Sequence, residues 1–182
     1  MSRIPPAAPP SEPPTAMALE VLVIPVADPD RAKRFYEDLG WRLDFDFSGE
    51  DGYRVMQFTP QGSACSIILG RGISSAAPGS LQDVHLIVSD LAAARADLLR
   101  RGVAVSPAFH DPGGIFHHAD PAHLRAGPNP ERKSYASYAT FQDPDGNGWV
   151  LQEVTAHLTE PPAVGDPRFT PELVAVLRGA PQ

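Results

Sequence analysis

The chain uses one pattern twice. Leu19 to Trp41, LEVLVIPVADPDRAKRFYEDLGW, aligns with Leu81 to Val103, LQDVHLIVSDLAAARADLLRRGV, at an offset of 62 positions. Leu19 meets Leu81, Leu22 meets Val84, Val26 meets Val88, Asp28 meets Asp90, Ala32 meets Ala94 and Gly40 meets Gly102. Each copy reads as an apolar strand, an acidic helix cap, a short amphipathic helix and a glycine stop. A repeated unit of this kind cannot cover its own apolar face and must pack on its copy.

In chain order, Leu19 to Ala27 is expected as the first strand, with Pro25 at an edge, a bulge or the strand end because it has no N–H to donate. Asp28 caps a helix that has Pro29 at its first position. Ala32, Phe35, Tyr36 and Leu39 form its buried stripe. Three strands are expected next, Arg42 to Phe47, Tyr53 to Thr59 and Cys65 to Leu69, separated by the turn sequences SGEDG and PQGSA. The first module therefore reads βαβββ over 19–70, followed by a Gly/Ser/Ala-rich linker over 71–80.

The second module spans 81–155. Leu81 to Ser89 is expected as a strand, Asp90 or Ser89 as a cap, and Leu91, Ala94, Leu98 and Leu99 as the helix stripe. Val103 to Phe109, Tyr135 to Gln142 and Gly148 to Val154 complete the module. Its closing turn, Asp143-Pro-Asp-Gly-Asn147, matches the first module's TPQGS at an offset of 84, so 22 extra residues have entered the second module. They fall within 110–132. Residues 156–182 form a Pro-rich tail in which Thr170-Pro171 opens a possible short helix.

The net charge of −7 disfavours nucleic acid and anionic membrane surfaces as partners. No apolar run is long enough to span a bilayer. The single cysteine, Cys65, forbids an intrachain disulfide and fits a reducing, cytoplasmic compartment. Residues 1–18 open with six prolines in the first 16 positions and no apolar signal core, which reads as a disordered arm.

Two βαβββ modules, with Val26, Asp28, Phe35, Tyr36, Leu39 and Gly40 in the first and Asp143-Pro144-Asp145-Gly146-Asn147 closing the second, resemble the vicinal oxygen chelate superfamily. That group includes glyoxalase I, extradiol dioxygenases, epimerases and the bleomycin- and fosfomycin-resistance proteins. The resemblance implies an α+β fold in which eight strands form one curved, cup-shaped mixed sheet with the helices outside. Members often pair modules within or between chains, which implies a homodimer. Enzymes of the group hold a divalent metal in the cup with His or Glu from the first and last strands of each module. The corresponding positions here are Val21, Asp83, Val150 and Ser66 (or Ile68), so no metal at the usual site and no other cofactor are expected.

Other residues offer chemistry. Asp83 and His85 share strand parity and should face the cup, as should Gln152. His85 is either a hydrogen-bonded core histidine or a general acid/base that also orients a ligand. Glu153 has the opposite parity and is expected as a surface charge at the strand end. The insertion carries four of the six histidines, His110, His117, His118 and His123. It reads as a solvated loop, as a lid closing the cup with Phe116 and His117 or His118, or as a new metal site drawing on His110, Asp111, His117 or His118. Tyr53, Phe58, Tyr135, Tyr138 and Phe141 lie on expected cup strands, with Tyr138 the candidate ligand contact. The leading functional expectation is a cup that binds a small, partly aromatic molecule without metal. A lyase, isomerase or dioxygenase with relocated metal ligands is the alternative, and a protein-binding scaffold is the third.

Overall fold

A computed structural model describes residues 15–114 and 121–179. It contains two sheets. The first is built from β1 (Val21–Val23), β2 (Arg42–Ser48), β3 (Arg54–Thr59) and β4 (Ser66–Arg71), in the order β1-β4-β3-β2. The second is built from β5 (Val84–Val88), β6 (Phe109–His110), β7 (Arg125–Ala126), β8 (Ser137–Gln142) and β9 (Gly148–Glu153), in the order β5-β9-β8-β6-β7. The pairing is mixed: β1 with β4 and β5 with β9 are parallel, and the remaining pairs are antiparallel. The fold is α+β, and its strands hydrogen-bond as sheets of four and five. The ninth strand, β7, comes from the insertion.

Strands are shorter than expected where a proline or a left-handed residue interrupts the ladder. Pairing of β1 ends with Ile24 N donating to Ile68 O at 2.8 Å, because Pro25 has no N–H. The Pro25 carbonyl instead accepts from Gly79 N and Asn147 Nδ2. The expected strand from Val103 shrinks to a bridge between Val105 and Phe141 and the two residues of β6. There Pro107 interrupts the ladder, and the Ser106 hydroxyl accepts from Thr140 N at 2.9 Å. The second module's first strand starts only at Val84, because Asp83 is left-handed at φ 58°.

Both repeat helices form at the acidic caps. Asp28 accepts from the Asp30 and Arg31 amides ahead of α1 (Pro29–Asp38), and Asp90 accepts from the Ala93 amide ahead of α2 (Leu91–Arg100). In α1, Ala32 and Tyr36 are buried, as is Leu39 at its C-cap. In α2, Leu91 is buried, while Leu99 is 45% exposed and leaves the expected stripe. One core collects Ile24, Met56, Phe58, Ile67 and Leu69 from the first sheet with Phe141, Trp149 and Leu151 from the second. Phe58 and Phe141, expected on cup strands, therefore face the helices. Each sheet packs one face into this core.

The closing turn of the second module joins the two halves. Asp143 accepts from the Asp145 and Asn147 amides, from Asn147 Nδ2 at 2.7 Å and from the Tyr36 hydroxyl at 2.9 Å. Asn147 Oδ1 accepts from Leu81 N, and Asp145 Oδ1 accepts from Ala27 N and Arg31. Burial, and then the Asp143 charge, hold the Tyr36 phenol far above its ordinary pKa, so it donates. Gly79 lies against the same turn at φ 74°, where any Cβ would collide with the Asp145 carbonyl oxygen.

The tail wraps the second module. Its helix α3 (Pro171–Leu177) is capped by Thr170, whose hydroxyl also donates to Gly113 O at the root of the insertion. Phe169, Leu173 and Val174 form a second small core with Tyr135 and Leu158 packed on it.

Candidate functional site

The faces turned away from the core are open in part: Tyr138, Val150 and Gln152 are buried on theirs, while His85 is exposed. On the first sheet the open face carries Val23, Phe45 and Phe47, which are 38%, 43% and 56% exposed. On the second it carries Ile87 at 58%, with His85, Val150, Gln152, Tyr138 and Thr140 on the same face by register.

Three of the residues singled out in the sequence meet there. His85 Nδ1 lies 3.0 Å from Gln152 Oε1. Gln152 Nε2 donates to the Tyr135 carbonyl at 3.0 Å, and the Tyr138 hydroxyl donates to the same carbonyl at 2.5 Å. A carbonyl oxygen only accepts, so the Gln152 amide is oriented with its nitrogen toward Tyr135 and its oxygen toward His85. His85 therefore carries its proton on Nδ1, and in the neutral ring Nε2 is the acceptor nitrogen. Burial pushes the Tyr138 phenol up to about 12, so it stays protonated and donating. Phe109 stacks on Tyr138 with ring centroids 5.7 Å apart, and His85 meets the Tyr138 ring edge-on at 6.4 Å.

The hub of this chain is the backbone of Tyr135. Its φ of 68° turns the carbonyl toward Gln152 and Tyr138. Its side chain goes the other way, stacked with Phe169 at 6.3 Å, and its hydroxyl accepts from Leu158 N. The tail thus holds the residue that orients the site. No side-chain pattern announces this, because the group in use is a main-chain oxygen.

Asp83 does not lie on the strand with His85. It sits at the left-handed entry to β5 and lines a cavity of about 250 Å³ with Thr140, Gln142 and Val150. Phe116, His117 and His118, and with them the expected lid, lie outside the described residues. Of the other insertion candidates, His110 Nδ1 meets Gly127 O at 2.8 Å, and Asp111 is buried and accepts from Gly113 N at 2.8 Å, so both brace the insertion's stem.

Glu153, expected as a surface charge, is fully buried. Its carboxylate is paired with Arg132 and accepts from Leu91 N at 3.0 Å at the start of α2. The strand end lies beneath the helix N-terminus, where an anion is favoured. This carboxylate supports the fold and faces away from the open side.

The first sheet holds a polar cluster that the sequence did not announce. Thr59 donates to Asp44 Oδ2 at 2.5 Å, Gln57 Nε2 donates to the same oxygen at 3.1 Å, and the Thr59 and Ser66 hydroxyls are 2.8 Å apart. The Thr59 hydroxyl, with help from Arg42 and Gln57, holds the Asp44 carboxyl below its ordinary value. Asp44 reaches this face because the register of β2 against β3 shifts between Leu43 and Phe45.

The superfamily's metal positions test poorly on donor chemistry. Val21 and Ser66 are register partners on the first sheet, and Asp83 and Val150 line one cavity on the second. Two of these four side chains have no donor atom, and the hydroxyl of Ser66 is a weak one, so the set does not fit a divalent cation. Among the described residues no group of three or more His, Cys, Asp or Glu side chains is placed to hold a metal ion. No helix among them is long and apolar enough to cross a membrane.

Several solved structures resemble this one. TnmS3, an antibiotic binding protein from Streptomyces sp. CB03234, is 31% identical with a TM-score of 0.56, over 76% of this chain and 97% of that one. A glyoxalase/bleomycin resistance protein from the same organism is also 31% identical, with a TM-score of 0.54, over 75% of this chain and 100% of that one. A superfamily member from Sphaerobacter thermophilus, 24% identical with a TM-score of 0.55 over 76% and 98% of the two chains, shares the fold. No curated protein matches the chain. Residues 18–151 match the family model, and the chain belongs to the Glyoxalase/Bleomycin resistance protein/Dioxygenase superfamily.

Proposed function

We propose that the protein is a homodimeric binder of a small, partly aromatic organic molecule, held in a cup made by the open sheet faces without a divalent metal. The observation that carries this reading is the hydrogen-bond chain from Tyr135 through Gln152 to His85. It presents one imidazole in a defined tautomer on a face otherwise walled by Phe109, Tyr138, Ile87 and Val150. A mostly apolar wall with a few oriented polar groups is the chemistry of small-molecule recognition. The likeness to an antibiotic binding protein supports the same direction. His85, oriented by Gln152, is the polar group assigned to the ligand, and Phe109, backed by the buried Tyr138 ring, supplies the aromatic surface.

The test is a thermal-shift screen of purified protein against aromatic, hydroxylated natural products, with hits titrated by calorimetry. At least one compound should bind, and Gln152→Leu should weaken it about tenfold by releasing the imidazole. A screen without hits, or hits indifferent to both Gln152→Leu and His85→Ala, argues against the reading. Elemental analysis of protein purified without chelator addresses the metal. One equivalent of Zn, Ni, Fe or Mn per chain, lost in His85→Ala, would replace this reading with that of a lyase, isomerase or dioxygenase using relocated ligands.

A further inference from the structure

A cavity distinct from the sheet faces lies in the tail. It measures about 530 Å³, within the range of small-molecule pockets. Nine of its eleven lining residues fall beyond the region that matches the superfamily, so it is a separate place from the sheet faces. Its walls are aliphatic or proline rings, from Val164, Pro167, Pro171, Val174 and Ala175, together with Phe169. The Phe169 ring is already engaged, stacked with Tyr135 and lying under the Arg168 guanidinium at 5.4 Å. Little aromatic surface is left to stack on a guest, and the cavity favours an aliphatic body.

The charges around the cavity are unequal in their commitments. Lys133 Nζ is bound to Glu131 at 3.0 Å and to Pro167 O at 2.7 Å. Asp166 is bound by Arg168 at 2.7 Å. Arg178, on the rim, donates to the Pro162 carbonyl at 3.2 Å and has no ion pair among the described residues. With the other three charges paired, the rim offers one uncompensated guanidinium above an aliphatic chamber. Guanidinium groups match carboxylates in shape as well as charge.

We propose that this cavity is a binding site for a medium-chain aliphatic carboxylate, with the chain among Val164, Pro171 and Val174 and the carboxylate on Arg178. The probe is octanoate, titrated by calorimetry into the full-length protein, with octan-1-ol as the uncharged control. Octanoate should bind one per chain. Arg178→Gln should weaken it about tenfold, and octan-1-ol should bind more weakly by a similar factor. Ala175→Trp, which fills the chamber from an exposed helix position, should abolish binding while circular dichroism and the melting temperature stay near wild type. His85→Ala should leave octanoate affinity unchanged, which separates this site from the sheet faces. The proposal is overturned if wild type shows no saturable binding, if octan-1-ol binds as tightly as octanoate, if Arg178→Gln binds like wild type, or if His85→Ala removes the binding. Should Ala175→Trp fail to fold, the Arg178→Gln and octan-1-ol comparisons decide the matter.

Discussion

At the scale of single residues, the site is set by one carbonyl oxygen. Tyr135 O accepts two hydrogen bonds and so fixes which end of Gln152 faces His85. The consequence is measurable. Long-range proton–nitrogen NMR spectra of the neutral protein should show His85 protonated on Nδ1. In Gln152→Leu that preference should disappear and the Nε2–H tautomer should rise, because the acceptor that held the Nδ1 proton is gone. An Nε2–H tautomer in wild type would mean the chain runs the other way. Strand parity was enough to bring His85 and Gln152 to one face from the sequence, with Tyr138 named only as a candidate ligand contact among the aromatics of the expected cup strands. It did not reveal Tyr135, whose role depends on a left-handed backbone at a non-glycine residue. Parity also put Glu153 on the helix side correctly, yet misjudged its burial. The α2 N-terminus and Arg132 that cover it come from distant parts of the chain.

At the scale of elements, β2 shows why a regular reading of alternation fails. In RLDFDF, strict alternation keeps Asp44 and Asp46 on one face. The register shift after Leu43 sends them to opposite faces. Asp44 joins Thr59, Gln57 and Ser66 on the open side. Asp46 faces α1, where it meets Lys33 at 2.9 Å and Arg54 at 2.8 Å, and Arg54 in turn reaches Asp30. Hydrogen bonds from Arg54, then from Lys33, hold the Asp46 carboxyl well below its ordinary range. A carboxyl depressed by folding stabilises the native state above its unfolded pKa of about 3.9, and that contribution is lost as pH falls toward the folded value. Urea unfolding followed from about pH 5 to pH 2 should therefore show falling stability. Asp46→Asn should be less stable at pH 7 by about 1 kcal/mol, a modest figure because the network is partly solvated, and its acid limb should be flatter. Equal acid slopes in the two proteins would assign the loss to other carboxyls. The repeat, the caps and the core stripe of α1 were legible because each rests on local periodicity. The bulge was not, since nothing in six alternating residues marks where the register slips.

At the scale of the whole molecule, each sheet packs one face into the shared core and leaves part of the other face uncovered. A sheet with an apolar face stabilises a fold by covering it, and the two repeat helices already occupy the shared inner side. What is left uncovered includes Val23, Phe45, Phe47 and Ile87, spread over both modules. Exposed apolar side chains that share the outer sheet faces are the group from which an association surface would be built. The proposed cover is a second copy of the chain, since a two-fold pairing would place like surfaces of both modules together. Sedimentation equilibrium should then give twice the chain mass of 19.5 kDa. Phe47→Lys combined with Ile87→Lys should shift the protein to monomer without loss of helical signal, since neither side chain belongs to the shared core and an ammonium resists burial in an interface. The same double variant should lose the ligand identified by the screen while retaining octanoate, because the tail cavity is built within one chain. A wild-type protein that sediments as a monomer would leave the open faces without this cover and would confine any cup to a single module's sheet.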